Sequence, residues 1–391
     1  MIDSAAVGRY ELGYLELGNY GKTAMTIIYA TSMEENALLA YRLDDQSGVL
    51  TALDSAIEIA SPWVIAKAAS GKYLYVAGHQ NQEIVSVAIN EHGGMEKIGQ
   101  TPLTQKYGLQ LTTYLSVDPS GRYLFFCDYF QDKIARFAID ENGVVNADDV
   151  EAITVGSGVR GARNDRQHPH SIQLDPEGEY VMVPFVGKDR IEFYRWQQGQ
   201  LLSPSIAHVD CQQGTGPRHF AFHPEKPWVY FNNERGDRPN RVTLYHRQLE
   251  QPGLNEIDAW QTLPADFSER NAIADIHITP CGRYLYVSNR GHQSLAGFKI
   301  DDADGRLTPI GIFPTGAVPT TFAITANGQW LISASLDEGN LSVHRIDADN
   351  GSLSDAIKTP CQWPEQQARS LAKTPAQAGA PRMGVPWVVA L

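Results

Sequence analysis

A pattern of two strands around a glycine turn repeats through most of this 391-residue sequence. Each copy has an apolar segment, then Asp or another polar residue, often Pro, a turn with Gly, and a second segment rich in Tyr, Leu and Val. Copies begin at Val64, Thr113, Ser171, His219, Asp275 and Thr321. Their turns recur about every fifty residues, a spacing typical of β-propeller blades.

The segments that follow each copy complete a four-stranded unit. The third segments alternate between apolar and polar residues, as in EIVSVAIN, KIARFAID and SLAGFKID. A period of two residues is typical of half-buried β-strands, and the Asn-Gly and Pro-x-Gly turns between segments are typical of hairpins. With a less regular fourth strand in each unit, the repeats predict an all-β propeller of antiparallel four-stranded blades.

The two ends of the chain supply the strands of a seventh blade. Residues 27–43 have the pattern of second and third strands without a first strand, and Val385–Leu391 has that of a first strand with nothing after it. Pairing them closes the ring and removes the open sheet edge, which two stacked β-domains would not do. The sequence therefore predicts one seven-bladed domain over residues 1–391, with an N-terminal extension at 1–24 and a loop at 365–384 before the closing strand.

Charge and composition exclude several classes of partner. The net charge of −13 repels a polyanion, so we expect no nucleic-acid partner. The first residues lack a basic, apolar leader and no run of eighteen apolar residues occurs, so we expect no signal peptide and no membrane partner. Four scattered cysteines without a CxxC pair are typical of reduced thiols, and we expect a cytoplasmic protein. The oligomeric state stays open.

Polar residues stand where first strands begin in the fourth and fifth blades. In a propeller these positions surround one mouth of the central channel. His168 and His170 precede the strand of the fourth blade, and Arg218 and His219 open that of the fifth. A histidine there could serve as an acid or base, and an arginine could bind a carboxylate or phosphate. A histidine that only bonds the loop backbone and a surface ion pair are the alternatives.

Further polar residues lie at the ends of second strands and on the sixth blade. Glu234 ends a second strand in the fifth blade, where a carboxylate is either buried and paired or held with a raised pKa. Arg290 occupies the same place in the sixth blade, whose first strand carries Asp275 and His277. A structural role in binding backbone amides is the alternative for Asp275. Because no GxxxxGK, GxGxxG, HExxH or GxSxG motif occurs, we expect no cofactor and no metal.

These strings resemble a known family over nearly the whole chain, from about Ile27 to Leu391. The most specific are GPRHFAFHP and ADIHITPCGRYLY, beside HPHSIQLDPEGEYVMVPF and the closing VPWVVAL. They are similar to the seven-bladed lactonases, which include the propeller type of 6-phosphogluconolactonase and the fungal carboxy-cis,cis-muconate cyclase. The resemblance implies catalytic roles for His170, Arg218, Glu234 and Arg290. We add as candidate substrate-binding residues His168, His219, Asp275 and His277.

One departure from the family concerns the start of the last full blade. Relatives often carry Pro-Arg where this chain has Pro319 and Thr320, so an expected cation is missing. If that arginine holds a phosphate, this protein prefers an unphosphorylated lactone. A loop at residues 156–166, with Arg160, Arg163 and Arg166, could replace the cation or cover the channel mouth.

The resemblance implies metal-independent hydrolysis of a carbohydrate lactone, so the expected partner is a small-molecule lactone. Arg218 and Arg290 would bind the substrate and stabilise the oxyanion, and His170 or Glu234 would deprotonate the attacking water. Two alternatives remain open. One is cycloisomerisation of a muconate to a lactone by the same groups. The other is a propeller that only binds partners, since a fold does not dictate function.

Overall fold

The computed structural model describes residues 25–103, 107–155, 167–234, 240–362, 384 and 386–391. The extension predicted at 1–24, nearly all of the loop predicted at 365–384 and the loop at 156–166 lie outside these ranges. Over the described residues the chain forms seven antiparallel sheets.

The strands of the first three sheets in chain order are β1 (Thr26–Ser32), β2 (Ala37–Leu43), β3 (Leu50–Glu58), β4 (Pro62–Lys67), β5 (Tyr73–Gly78), β6 (Glu83–Ile89), β7 (Met95–Pro102), β8 (Thr112–Val117), β9 (Tyr123–Asp128), β10 (Lys133–Ile139) and β11 (Val145–Thr154). Those of the fourth and fifth are β12 (Gln173–Leu174), β13 (Tyr180–Phe185), β14 (Arg190–Gln197), β15 (Gln200–Leu201), β16 (Ala207–Asp210), β17 (Pro217–Phe222), β18 (Trp228–Asn233), β19 (Arg241–Arg247) and β20 (Leu254–Gln261). The remaining strands are β21 (Ile273–Ile278), β22 (Tyr284–Asn289), β23 (Ser294–Ile300), β24 (Leu307–Pro314), β25 (Pro319–Ile324), β26 (Trp330–Ser335), β27 (Asn340–Arg345), β28 (Ile357–Pro360) and β29 (Val388–Ala390).

Each sheet is one blade of a ring, which confirms the predicted fold. In most blades the strands pair in chain order, and the first strands of neighbouring blades contact one another around the channel, as β4 and β8, β17 and β21, and β21 and β25 do. The fourth blade differs from the predicted four strands, because β15 and β16 both pair with β14. Its first strand is also short: only Gln173 and Leu174 pair regularly with β13.

The closing blade combines the two ends of the described chain, as predicted. Its order is β29-β1-β2-β3, with β29 in the innermost position. Beyond the strand pairing, Ile27 N donates to Leu391 O at 3.2 Å, and Leu391 N donates to Ile27 O at 2.8 Å. A sheet that closes on itself leaves no edge for another chain to extend.

The repeated turn is held by the polar residue that precedes it. In the third blade, Asp118 Oδ1 accepts hydrogen bonds from the backbone N–H groups of Arg122 and Tyr123 at 2.9 and 2.8 Å. Gly121, which lies in the turn between Asp118 and Arg122, has φ +71°, a conformation that favours glycine. Asp175 makes the same bonds in the fourth blade, so the recurring Asp is a structural acceptor for turn amides.

The third strands are more buried than their alternation predicted. We expected half-buried strands, but β6 buries its first five residues and β23 exposes only Lys299 fully. Blades stack face to face, so a neighbouring blade covers each side of a strand, and even Ser86 and Ser342 are buried. The alternation therefore identifies strands but underestimates how much of each strand the ring covers.

An aromatic contact to a glycine recurs between successive blades. Tyr230, in the second strand of the fifth blade, donates from its hydroxyl to Gly305 O in an outer turn of the sixth, at 2.7 Å. Tyr286 makes the same bond at 2.7 Å to Gly351 O, which lies in the blade of β25 to β28. Gly305 has φ +77°, and a Cβ there would lie 2.6 Å from Trp228 Cδ2 of the preceding blade. Glycine is thus required both for its backbone conformation and for the approach of the aromatic ring.

We predict that Gly305→Ala destabilises the fold more than Gly121→Ala. Both positions have positive φ, which costs alanine roughly 1–2 kcal/mol. Only at Gly305 would the new methyl group meet another blade, since no heavy atom lies within 4 Å of a Cβ at Gly121. Overpacking should add about 1–3 kcal/mol in urea denaturation. Equal losses in the two variants would show that the contact between blades contributes nothing.

Candidate active site

The channel mouth gathers four side chains from three neighbouring blades. Antiparallel pairing puts the start of each first strand beside the end of the second, as in the register Pro217↔Asn233. Arg218 is the second residue of β17, and Glu234 directly follows β18 in the same blade. His170 precedes β12 in the fourth blade, and Arg290 directly follows β22 in the sixth. The strand ends therefore deliver these groups to one place.

Glu234 lies at the centre of this group. Arg290 Nη2 donates to Glu234 Oε1 at 2.6 Å, and Arg218 Nε is 3.9 Å from the same oxygen. His170 Nε2 is 3.9 Å from Glu234 Oε2. His170 and Arg218 are only 5% and 7% exposed, and the Glu234 side chain is 19% exposed. The four residues predicted to be catalytic thus form one largely buried cluster.

The charges in this cluster shift one another's pKa values. Burial alone would raise the pKa of Glu234, but Arg290 and Arg218 outweigh it and hold the pKa below its usual value. Burial and then the neighbouring Arg290 lower the pKa of Arg218 to about 10. Burial, followed by Arg218, holds the pKa of His170 well below its usual range. At neutral pH the cluster therefore contains two cations, one carboxylate and one neutral imidazole.

Two buried polar atoms of the cluster have no hydrogen-bond partner among the residues that the structure describes: Arg218 Nε, a donor, and His170 Nδ1. Buried polar groups are nearly always satisfied, so unpaired ones at a cavity are typical of a place where a ligand or water binds. Arg218 and His170 both line such a cavity.

This cavity, which we call the mouth cavity, has a volume of about 560 Å³, the size of a small-molecule site. Its polar end has His170, Arg218 and Arg290. Large apolar and aromatic side chains form much of the remaining wall: Met33, Trp63, Leu111, Tyr129, Phe130, Leu336, Pro386 and Trp387. Tyr129, Trp63 and Trp387 are not among the residues predicted from the sequence, because that prediction rests on charged residues and histidines at the strand ends.

His168 is not one of the residues that line the mouth cavity, but its ring packs on Tyr129, which does line it. Its ring stacks on Tyr129 with centroids 4.2 Å apart, and its Nδ1 lies 3.0 Å from Tyr129 O. His168 has φ +54°, and its backbone N–H donates to Asp132 Oδ1 at 2.8 Å. This geometry matches the alternative in which a loop histidine bonds the backbone.

His219, Asp275 and His277 lie deeper in the channel than the mouth cavity. They line a second cavity of about 230 Å³, and Asp275 and His277 also line a third of about 340 Å³. The His277 side chain is 43% exposed there, whereas the Asp275 side chain is buried. Asp275 accepts backbone hydrogen bonds from Ile276 and Phe322, which fits the structural alternative for this residue.

A known protein family matches most of the chain. Residues 25–367 match the family described as "Lactonase, 7-bladed beta-propeller". The chain belongs to this family. Membership confirms the resemblance found in the sequence and identifies the protein as a lactonase-family enzyme.

Relatives of this lactonase cover most of its length. A 6-phosphogluconolactonase of Xenorhabdus nematophila is 30% identical over 337 residues, which span 85% of this chain and 95% of the relative. One of Pectobacterium atrosepticum is 31% identical over 328 residues, or 84% of this chain and 93% of the relative. A periplasmic gluconolactonase of Pseudomonas aeruginosa superposes with a TM-score of 0.75 at 23% identity, over 85% of this chain and 95% of its own. This last likeness concerns the fold alone.

Among the residues that the structure describes, no three His, Cys, Asp or Glu side chains cluster in a way that could hold a metal ion. In the same part of the chain, no helix has the length and apolar character needed to cross a membrane. The four cysteines are all free thiols.

We predict that the lactonase loses stability as the pH falls from about 7 towards 4. Burial holds the pKa of His170 well below its usual range, and burial with Arg218 lowers the pKa of His219 to about 4. In the unfolded chain these histidines take up protons near pH 6.5, so unfolding binds protons and acid favours it. His219→Gln should flatten the slope of stability against pH by up to about 1.4 kcal/mol per pH unit.

Urea denaturation at several pH values measures this slope. His92→Gln, in which an exposed histidine is replaced, is the matched substitution. A His219→Gln slope as steep as that of the wild-type protein would contradict the prediction.

Proposed function

We propose that the protein hydrolyses a sugar lactone to its open-chain acid, with the cluster at the mouth cavity as its active site. The observation that carries the proposal is that Arg218 Nε, a donor, and Nδ1 of a neutral His170 both lack a partner among the described residues, in two side chains that line the same cavity. Hydrolysis of an ester needs a donor for the developing oxyanion and a base for the attacking water, and this cluster offers both. The names of the curated relatives support the same activity.

His170 is the better candidate for the base. Glu234 Oε1 already accepts a hydrogen bond from Arg290, and the carboxylate lies between two guanidinium groups that it pairs with. His170 is neutral near pH 7, so its ring can accept a proton. In the proposed reaction, water adds to the lactone carbonyl carbon as His170 takes the proton. The ring C–O bond then breaks, and the leaving ring oxygen receives a proton from the His170 imidazolium.

Arg218 would stabilise the oxyanion of the tetrahedral intermediate, and Glu234 would hold the two arginines in place. Arg290 also donates to the backbone oxygens of Ala272 and Ile273 at 3.4 Å, so its position is fixed by the protein. Preorganised donors of this kind need no reorganisation when the charge develops. A propeller that only binds partners would have no need for charges that converge in a channel.

An unphosphorylated lactone suits the described part of the mouth cavity best. Its charged wall residues are Arg218 and Arg290, and Glu234 already offsets part of their charge. Thr320 also lines the wall, where the family resemblance leads us to expect an arginine, and its hydroxyl donates to Pro386 O at 3.0 Å. Tryptophan rings such as Trp63 and Trp387 would cover the apolar face of a sugar ring. We propose a cytoplasmic location, because four free thiols are typical of a reducing compartment.

We predict that Arg218→Ala lowers kcat for lactone hydrolysis about 10²–10³-fold, the usual loss for an oxyanion donor. Acid release from gluconolactone, galactonolactone and 6-phosphogluconolactone, with and without chelator, measures the activity. Arg306→Ala, which removes an exposed partner of Asp258, is the matched control and should keep wild-type activity. Unchanged hydrolysis in Arg218→Ala would contradict the assigned role. Turnover of carboxy-cis,cis-muconate without any lactone hydrolysis would instead identify the cyclase activity.

We predict that Thr320→Arg raises kcat/KM for 6-phosphogluconolactone relative to gluconolactone. The new guanidinium would supply a cation at the wall, and a charge-assisted hydrogen bond to phosphate contributes roughly 1.5–3 kcal/mol, or about 10–150-fold. Thr320→Gln, which has similar length without charge, is the control. A ratio that stays at the wild-type value in Thr320→Arg would show that this position does not govern phosphate preference.

A further inference from the structure

A chain of hydrogen bonds connects Arg218 to a buried carboxylate outside the cluster of four. Arg218 Nη1 lies 3.1 Å from His219 Nε2, and His219 Nδ1 lies 2.9 Å from Asp275 Oδ1. All three side chains are at least nine-tenths buried. They come from adjacent first strands, since Arg218 and His219 lie on β17 and Asp275 lies on β21.

The partners of Asp275 determine which nitrogen of His219 carries the proton. Oδ1 accepts from Ile276 N at 3.0 Å, and Oδ2 accepts from Thr321 Oγ1 at 2.6 Å. His277 Nε2 is 3.0 Å from Oδ2. A carboxylate surrounded by donors stays ionised and can only accept, so His219 Nδ1 must donate to it. The neutral His219 ring then has its lone pair on Nε2.

That lone pair accepts a hydrogen bond from Arg218 Nη1, which also donates to Ala274 O. One edge of the guanidinium is therefore fixed by two acceptors. The unpaired Nε is on another side of the group, 3.9 Å from Glu234 Oε1. The His219 ring itself is confined by the edges of Tyr114 and His170, with centroids 5.0 and 5.1 Å away.

We propose that His219 and Asp275 are positioning residues, which hold Arg218 for oxyanion binding through the Nδ1–H tautomer of His219. The inference rests on the proposed function and extends it to two residues that do not line the mouth cavity. Neither residue touches the substrate. The position of the proton matters because Nε2 must accept the hydrogen bond from Arg218. If Nε2 carried the proton, two donors would face each other and this bond could not form.

The electrostatics around His219 support this tautomer. Burial, followed by Arg218, lowers the pKa of the imidazole to about 4, so the ring is neutral in the neutral range. The titratable groups that face it are Arg218, Asp275, His277, His170 and Tyr114. Burial would raise the pKa of Asp275, but His277 and His219 hold it well below its usual value.

A pair of amide variants tests the proposal through kinetics. In His219→Gln the amide oxygen reaches the place of Nε2 and can still accept from Arg218, whereas in His219→Asn the shorter amide reaches only the place of Nδ1. We expect His219→Gln to keep kcat within a few-fold and His219→Asn to lose about 10–10²-fold in kcat with little change in KM, the scale of a misplaced catalytic group. His223→Gln, in the same blade, controls for the loss of a buried histidine that bonds Gly282 O. Equal kcat values in the two His219 variants would overturn the proposal.

Nuclear magnetic resonance provides a readout that does not need substrate. Long-range ¹H–¹⁵N spectra of histidine-labelled protein, assigned by the His219 variants, should show Nδ1–H at pH 7. The Arg218 Nε–H signal should shift in His219→Asn and stay near its wild-type position in His219→Gln. An Nε2–H tautomer, or equal Arg218 signals in both variants, would overturn the proposal. A wild-type protein that hydrolyses no lactone but shows the expected spectra would contradict the proposed function and leave the hydrogen-bonded chain intact.

Discussion

The contact between an aromatic side chain of one blade and a glycine turn of the next is the constraint on which the ring depends. At Gly305 the turn needs a positive φ, its carbonyl accepts from Tyr230, and its missing Cβ admits the Trp228 ring. The carbonyls of Gly93 and Gly351 likewise accept from Tyr29 and Tyr286 of the preceding blade. A Cβ at Gly351 would meet the Tyr284 ring, and one at Gly93 would meet Ile27. One local interaction, repeated, sets the spacing of the blades, and β29 completes the circle by pairing with β1.

The ring geometry has a direct chemical consequence at the channel mouth. Each blade brings the start of its first strand and the end of its second to the same face, so residues distant in sequence converge. His170 and Glu234 come from different blades and have nitrogen and oxygen 3.9 Å apart. The rigid strands that carry these side chains also fix their separations, which is what a preorganised site requires.

The fold and the closure could be predicted from the repeat. The repeat also showed that Arg290 and Glu234 occupy equivalent positions in neighbouring blades, but the choice of four residues among the polar candidates rested on the family resemblance. The roles of His168 and His219 could not be predicted in this way, since they depend on contacts across blades. His168 stacks on Tyr129 of the preceding blade, and His219 bonds Asp275 of the following one. Alternation likewise describes a single sheet and cannot show that the neighbouring blades cover both faces.

The charge balance of the cluster explains why one carboxylate lies between two guanidinium groups. With His170 neutral, Arg218, Arg290 and Glu234 together leave one net positive charge. A neutral lactone gains little from that charge, whereas the oxyanion formed from it carries one negative charge and matches it. The interaction therefore strengthens on the way to the transition state, which is the condition for catalysis rather than for tight substrate binding. In the proposed reaction a phosphate dianion would neutralise the same charge in the ground state, so we propose that the cluster suits a substrate whose negative charge appears only during the reaction.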